Sequence, residues 1–347
     1  MTTLRILVHA LDRTGPPMLA LALLRSLRAH HPDIDGDVVA FRGGELEADF
    51  AGLGPLTVML RHHEPWDHAA PDPGRAEQLE EVLTSLPTAD VVLLVSVAGG
   101  QCLPYLPVRD APVLTWVVEI AEDLHWLDPP VDVAGRTTTW LAGSESSTLE
   151  VRHRVGDVEV VAAPEFIEPA EPTAAAVAAA RARLAGEGRT LAVAGAGIGT
   201  WRKAPDLFVE VARAAERLAP GRLRFTWIGG ETDPLIEPLR RLVDDLDAAD
   251  HIGFVDHVDD VDAWLAAADV LCHPARADAF PLVCLHAAAQ GTPVVAFSGV
   301  GGVPEMFGDA FVGPAYPDVA TMARHVVDLA LGDGRAVDAM LDGLDHA

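Results

Sequence analysis

Residues Arg276 to Val295 read RADAFPLVCLHAAAQGTPVV. Just before them, DVLCHP (269–274) is a short apolar run, and at their end PVVAF (293–297) is another. Between the two, Asp278 closes a loop, AFPL turns the chain, and 281–290 has the composition of a helix. Strand, turn, helix and strand in that order is the repeating unit of a parallel sheet. Ligands of open α/β sheets sit outside the C-terminal ends of the strands. Phe280, Pro281, Leu282 and Val283 would then present a helix start, with its free N–H groups, to a ligand. Asp278 and His286 are eight positions apart, about two helical turns, which lets them face one side. The alternative reading makes Asp278 the helix N-cap and His286 a partly buried polar residue.

The same alternation runs through the chain. LRILVHAL (4–11), ADVVLLVSV (89–97), PVLTWVVE (112–119) and VEVVAA (158–163) read as strands, and MLALALLRSLRAH (18–30) as a helix. The middle runs are apolar on both faces, which suits a parallel sheet covered by helices on both sides. Pro164, Pro169 and Pro172 then break regular structure. After them come strands TLAVAGA (190–196), LRFTWIGG (223–230) and HIGFV (251–255), and helices at 204–218, near 234–247 and at 258–268. The expectation is two doubly wound, Rossmann-like α/β domains facing a cleft. They would span 1–165 and 173–330, with a proline-rich hinge at 166–172 and a C-terminal helix over 331–347 packing back towards the first domain.

GAGIGTWRKAPDLFVEVA places glycines at 195, 197 and 199 between a strand and a helix, with Pro205 at the helix start. Gly197 and Gly199 let backbone amides approach an anion. The loop is neither a Walker A motif nor a clean dinucleotide fingerprint. Lys203, beside Arg202, is the only lysine among 25 basic residues. A compact ammonium at the mouth of a glycine loop suits a phosphate. FSGVGGVPEMFGD (297–309) is a further glycine turn after a strand, with Gly301, Gly302 and Glu305. HALDRTGPP (9–17) is the matching strand-to-helix turn of the first domain, with His9, Arg13, Thr14 and Gly15. RHHEPWDH (61–68) reads as solvated loop histidines rather than a metal site.

Acidic residues number 52 against 25 basic ones, a formal net charge of −27. That excludes non-specific nucleic-acid binding and disfavours docking on anionic membranes. It also means that a phosphorylated ligand needs a local positive site. Cys102, Cys272 and Cys284 have no metal or redox spacing, which points to a reducing, cytoplasmic compartment. The N-terminal stretch reads as a first strand rather than a signal peptide. The clean apolar run from Val91 to Ala98 is too short to span a membrane.

Taken together, these motifs resemble the family 4 retaining glycosyltransferases of the GT-B fold. WRKAPDLFVEVA is similar to the family's lysine loop, and FTWIGG and IGFVDHVDDVDAWLAAADVLCHPA to its next elements in order. DAFPLVCLHAAAQGTPVVAFSGVGGVPE is similar to its acidic-pair motif, two carboxylates separated by seven residues, and HALDRTGPPMLALALLR to the first turn of one branch. The resemblance implies that Lys203, with Arg202, holds a donor diphosphate and that Asp278 lies near the sugar hydroxyls. It places the donor on the second domain, along Gly197, Gly199, Phe280 to Val283, His286, Gly301, Gly302 and Glu305. It places the acceptor against His9, Arg13, Thr14, Gly15 and Glu119 of the first. Three positions depart from the pattern. His286 replaces the second acid, which binds ribose. Val118 precedes Glu119 where a histidine is often found. Near Gly197 an arginine is missing, for which Arg202 compensates. The implied activity needs no metal and no cofactor beyond the nucleoside-diphosphate sugar. The acceptor would be a small molecule, glycan or lipid-linked group, with no nucleic acid and no stable membrane insertion. The alternatives are a pseudo-glycosyltransferase that binds a nucleotide or partner without turnover, and a sugar-nucleotide epimerase.

Overall fold

The computed structural model describes residues 2–60, 84–106, 111–120, 124, 127–128, 132–186, 189–230 and 235–332. The 61–68 histidine cluster and the expected helix beyond Gly332 lie outside the described residues. The chain divides into two compact units, Met1–Ile167 and Glu168–Ala347.

In the first unit the strands are β1 (Thr2–Val8), β2 (Ile34–Arg42), β3 (Leu56–Leu60), β4 (Val91–Val95), β5 (Val113–Val117), β6 (Thr139–Ala142) and β7 (Val160–Ala162). They form one parallel sheet in the order β3-β2-β1-β4-β5-β6-β7. Helices α1 (Gly15–His30), α2 (Glu47–Ala51), α3 (Val133–Arg136) and α4 (Glu145–Val155) accompany it, with a 3-10 helix at Val97–Tyr105. Apolar side chains cover both sheet faces, one set around Ile6, Leu19 and Phe50 and the other around Leu7, Leu94 and Trp140. Two strands, β2 and β3, were not legible in the pattern. Near its start β2 has Asp35, Gly36 and Asp37, residues that interrupt an apolar strand pattern. In the sheet, Asp37 accepts from buried Arg5 of β1 at 2.8 and 2.7 Å, and Arg5 also donates to the Pro87 carbonyl at 2.9 Å. A charge paired across neighbouring strands is tolerated inside a sheet whose sequence pattern it interrupts. The first strand ends at Val8 rather than at residue 11, which puts His9 at its exit.

The second unit repeats the plan with β8 (Leu191–Ala196), β9 (Leu223–Ile228), β10 (Ile252–Val255), β11 (Val270–His273) and β12 (Val294–Ala296). Its parallel order is β10-β9-β8-β11-β12. The helices are α5 (Ala174–Ala185), α6 (Pro205–Leu218), α7 (Ile236–Asp245), α8 (Val261–Ala266), α9 (Leu282–Ala289), α10 (Val303–Phe307) and α11 (Val319–Leu331). The strand order reverses between β8 and β11, which puts the switch point, the usual place for a ligand in an open α/β sheet, at the C-terminal ends of those two strands. No helix among the described residues is long and apolar enough to cross a membrane.

The core beneath the end of β8 is packed hard. Phe208 of α6 meets Phe225 and Trp227 edge-on at centroid distances of 5.5 and 5.4 Å. Gly195 at the end of β8 is there because a Cβ would lie 2.6 Å from Phe208 and 2.8 Å from Trp227. Gly195→Ala should therefore destabilise the unit by about 1–3 kcal/mol, the usual cost of overpacking a filled core. A urea midpoint equal to that of the parent protein would contradict this packing.

Candidate functional site

The loop after β8 carries the lysine. Gly197, at a φ of 143°, continues from the strand, and a Cβ there would touch the Lys203 stem at 3.4 Å. Buried Gly199 follows in the same turn. Ala204 then takes a left-handed conformation, φ 59° and ψ 52°, and Pro205 starts α6 with no side-chain cap. A non-glycine residue there costs about 1–2 kcal/mol, so the turn at Lys203 is held by its surroundings.

Those surroundings come from the loop after β11. Lys203 Nζ donates to Oδ2 of Asp278, and Arg202 Nη1 lies 3.2 Å from Oδ1. Arg202 also donates to the Ala277 carbonyl at 3.1 Å, and the Arg276 amide donates to the Arg202 carbonyl at 2.8 Å. His273, the last residue of β11, brings Nε2 within 3.2 Å of Asp278 Oδ2 without the alignment of a hydrogen bond. The Asp278 side chain is 11% exposed. Burial alone would raise its carboxyl pKa. The Lys203 charge, His273 and the Arg202 charge outweigh burial and hold it far below the usual carboxylate range. Burial pushes the His273 ring down, against the attraction of Asp278. The cluster of one lysine, one arginine, one carboxylate and a neutral imidazole thus keeps one net positive charge in a chain of net −27.

The glycine turn after β12 closes on the same residue. The Asp278 amide donates to the Val300 carbonyl at 3.0 Å, and the Gly302 amide to the Asp278 carbonyl at 3.2 Å. A Cβ on Gly301, φ 154°, would overlap the Asp278 carbonyl oxygen at 1.7 Å, so only glycine permits this approach. A small recess lies beside it, lined by His273, Asp278, Phe297, Val300, Gly301 and Val303. Glu305 is exposed on the first turn of α10.

Two sequence expectations are corrected. Asp278 is not a helix cap, since α9 begins at Leu282 after Pro281 and has no side-chain cap. Asp278 and His286 therefore do not share a helical face; the first lies in the loop and the second in the helix. Phe280 and Pro281 are buried, and Leu282 and Val283 half-buried, at the uncapped start of α9. His286 is partly buried, and its Nδ1 lies 2.8 Å from Oδ1 of Asp262 on α8. Asp262, His273 and the bidentate Arg276–Asp206 pair at 2.8 and 2.6 Å were not singled out beforehand. Each lies on an element whose neighbour is set by the fold rather than by spacing.

In the first unit the candidate residues follow β1 and β5, the two strands that flank β4 in the sheet. His9 follows β1, and burial lowers its pKa against the charge of Asp12. Asp12 accepts from the Thr14 amide at 3.2 Å and from the Thr14 hydroxyl at 2.5 Å. Exposed Arg13 and Gly15 lie on the same loop, and α1 has no side-chain cap. Glu119 follows β5 and accepts from the Ser96 hydroxyl, the Val97 amide at 3.2 Å and the Val118 amide at 3.1 Å. It thereby supports Ser96, whose φ is 84°.

Residues 188–331 match the family described as Glycosyl transferases group 1. A D-inositol 3-phosphate glycosyltransferase of Mycobacteroides abscessus is 41% identical over 120 residues, 33% of this chain and 26% of that protein. A GDP-mannose-dependent alpha-(1-6)-phosphatidylinositol monomannoside mannosyltransferase of Mycobacterium tuberculosis is 31% identical over 152 residues, 41% of this chain and 34% of that protein. The chain thus spans well under half the length of these curated relatives. Among solved structures, Anabaena Alr3699/HepE in complex with UDP-glucose superposes with a TM-score of 0.74 at 13% identity, covering 100% of this chain and 94% of that one. WaaG, a glycosyltransferase involved in lipopolysaccharide biosynthesis, gives 0.69 at 18% identity, covering 99% and 94%. The chain shares the α/β GT-B fold of these structures.

Asp278→Asn removes the negative charge that the two cations share. It should cost about 3 kcal/mol or more at pH 7. Because the folded carboxyl titrates far below its unfolded value, this contribution is fully present above about pH 4 and is lost only as pH falls further, towards the folded value. Urea midpoints of both proteins should therefore differ at neutral pH and converge under strong acid. A gap that already closes between neutrality and pH 5 would refute the assignment.

Proposed function

We propose that the chain is a metal-independent retaining glycosyltransferase that moves a hexosyl group from a nucleoside-diphosphate donor to an acceptor hydroxyl. The observation that carries this reading is the Lys203–Arg202–Asp278 cluster at the switch point of the second sheet. It is a net positive site beside an uncapped helix start, and such a pair receives a diphosphate. The family matched by residues 188–331 supports the reading. So do the UDP and UDP-glucose complexes described for a protein of the same fold.

In this reading the bond between the sugar's anomeric carbon and the diphosphate breaks, and a bond from that carbon to the acceptor oxygen forms on the same face. The acceptor proton passes to the departing diphosphate oxygen, so no enzyme nucleophile is required. The protein contributes position and charge stabilisation. Lys203 and Arg202 meet the charge growing on the diphosphate. Asp278 holds both cation heads in place and faces the sugar. The N–H groups of Leu282 and Val283 receive phosphate oxygens, and Gly197, Gly301 and Gly302 keep the walls low. The loop of His9, Arg13, Thr14 and Gly15, with Glu119 as its neighbour's support, belongs to the acceptor side. The acceptor is a small molecule, a glycan or a lipid-linked group.

Lys203→Ala should lower the rate of nucleoside-diphosphate release from a saturating donor by about 10²–10³-fold, the scale of losing one charge-stabilising donor. The parent protein is first assayed against a panel of UDP- and GDP-sugars, with thermal stabilisation recorded alongside. Undiminished turnover and affinity in Lys203→Ala would overturn the diphosphate role. Nucleotide binding without turnover on any donor would favour the binding-only alternative.

A further inference from the structure

The residue that departs most from the acidic-pair pattern is not isolated. Asp262, 5% exposed on α8, accepts three hydrogen bonds. His286 Nδ1 lies 2.8 Å from Oδ1, Gln290 Nε2 donates to Oδ1 at 3.2 Å, and the Ala170 amide donates to Oδ2 at 2.8 Å. Gln290 also donates to the Ala170 carbonyl at 2.9 Å. A carboxylate surrounded by three donors is ionised and can only accept. Burial would raise its pKa, but the bonds from His286, Ala170 and Gln290 outweigh that and lower it.

We infer that Asp262 is a positioning residue for nucleotide recognition: it holds the proton of His286 on Nδ1, so that Nε2 faces the ligand as a hydrogen-bond acceptor. The step follows from proton counting. An ionised carboxylate at 2.8 Å from Nδ1 requires a hydrogen on that nitrogen. In the neutral form of the ring the only lone pair is then at Nε2, which has no hydrogen-bond partner among the described residues. A bonded carboxylate fixes an imidazole tautomer in metal sites by the same logic. Without Asp262 the ring would sample both tautomers, and in one of them Nε2 is a donor. A ribose hydroxyl donates to an acceptor, as it would to a glutamate. The pair Asp262–His286 therefore supplies, through the ring, the acceptor that an acid at residue 286 would supply directly. The inference rests on the proposal that the second unit binds a nucleoside diphosphate.

The test uses the full chain, with UDP and GDP and their 2′-deoxy analogues as probes, and ring nitrogen shifts from ¹⁵N-histidine spectra in mildly alkaline buffer. The parent protein should show the His286 ring with its proton on Nδ1, and it should prefer ribose over deoxyribose by roughly three- to tenfold, the worth of one hydrogen bond. Asp262→Asn should mix the tautomers and shrink that preference towards unity. In a His286→Ala background the same Asp262 change should leave the ratio unaltered. Gln290→Ala, which removes the tie to the Ala170 carbonyl and one donor to Asp262 but leaves the His286 bond in place, should keep the parent ratio; this separates positioning from general support. An unchanged ratio and an unchanged tautomer in Asp262→Asn overturn the inference alone. A parent protein that binds none of the probes overturns the donor reading, and this inference falls with it.

Discussion

The carboxylate of Asp278 is the constraint on which the second unit's loops depend. Its side chain holds Lys203 and Arg202 from the loop after β8. Its main chain bonds Val300 and Gly302 from the turn after β12. It stands itself on the loop after β11, next to His273. Parallel strands deliver these loops to one edge, but nothing in a parallel sheet ties loop to loop. A single buried anion does that here, because two cations brought together without it would repel. Within that cluster two cationic groups meet one carboxylate, which is the feature the donor proposal rests on.

The strain in these loops follows from the same requirement. Ala204 is left-handed, and Gly301 lies where any side chain would overlap the Asp278 carbonyl. Strained backbone persists only where its surroundings over-determine it. Here the surroundings are the aromatic floor under β8 and the Asp278 network above it. The first unit has a parallel device in Glu119, which gathers Ser96, Val97 and Val118 at the exits of β4 and β5. That carboxylate joins the exits of two neighbouring strands, as Asp278 joins the loops of the second unit.

Much of the fold was legible because burial on both faces makes parallel strands read as apolar runs between helical stretches. Lys203 was legible because a composition that prefers arginine makes a lone lysine conspicuous. What was not legible has a common cause. β2 was hidden by Asp35, Gly36 and Asp37, and Asp37 makes sense only beside Arg5, which the sequence places 32 residues away. His273 looked like the end of an apolar strand until the fold set Asp278 against it. Helical spacing failed for Asp278 and His286 because the helix begins between them. Local pattern reports the face a residue occupies, not the partner that another segment brings to it.

His286 shows what such a partner can change. A glutamate at this position would carry its negative charge directly to the ligand, close to a diphosphate that is itself anionic. With histidine the negative charge sits one ring further back, on Asp262, where three donors and burial hold it. On the inference drawn above, a nucleotide would meet the Nε2 acceptor of the ring instead of an anion. Coulomb repulsion falls with distance and is strongest where water is excluded, so moving the charge back relieves the diphosphate at the cost of one of the two oxygens a carboxylate would offer. In a chain of net charge −27, that exchange would favour retention of an anion over bidentate recognition of a ribose, if the donor proposal holds. The substitution is then a redistribution of charge within the site and not simply the loss of an acid.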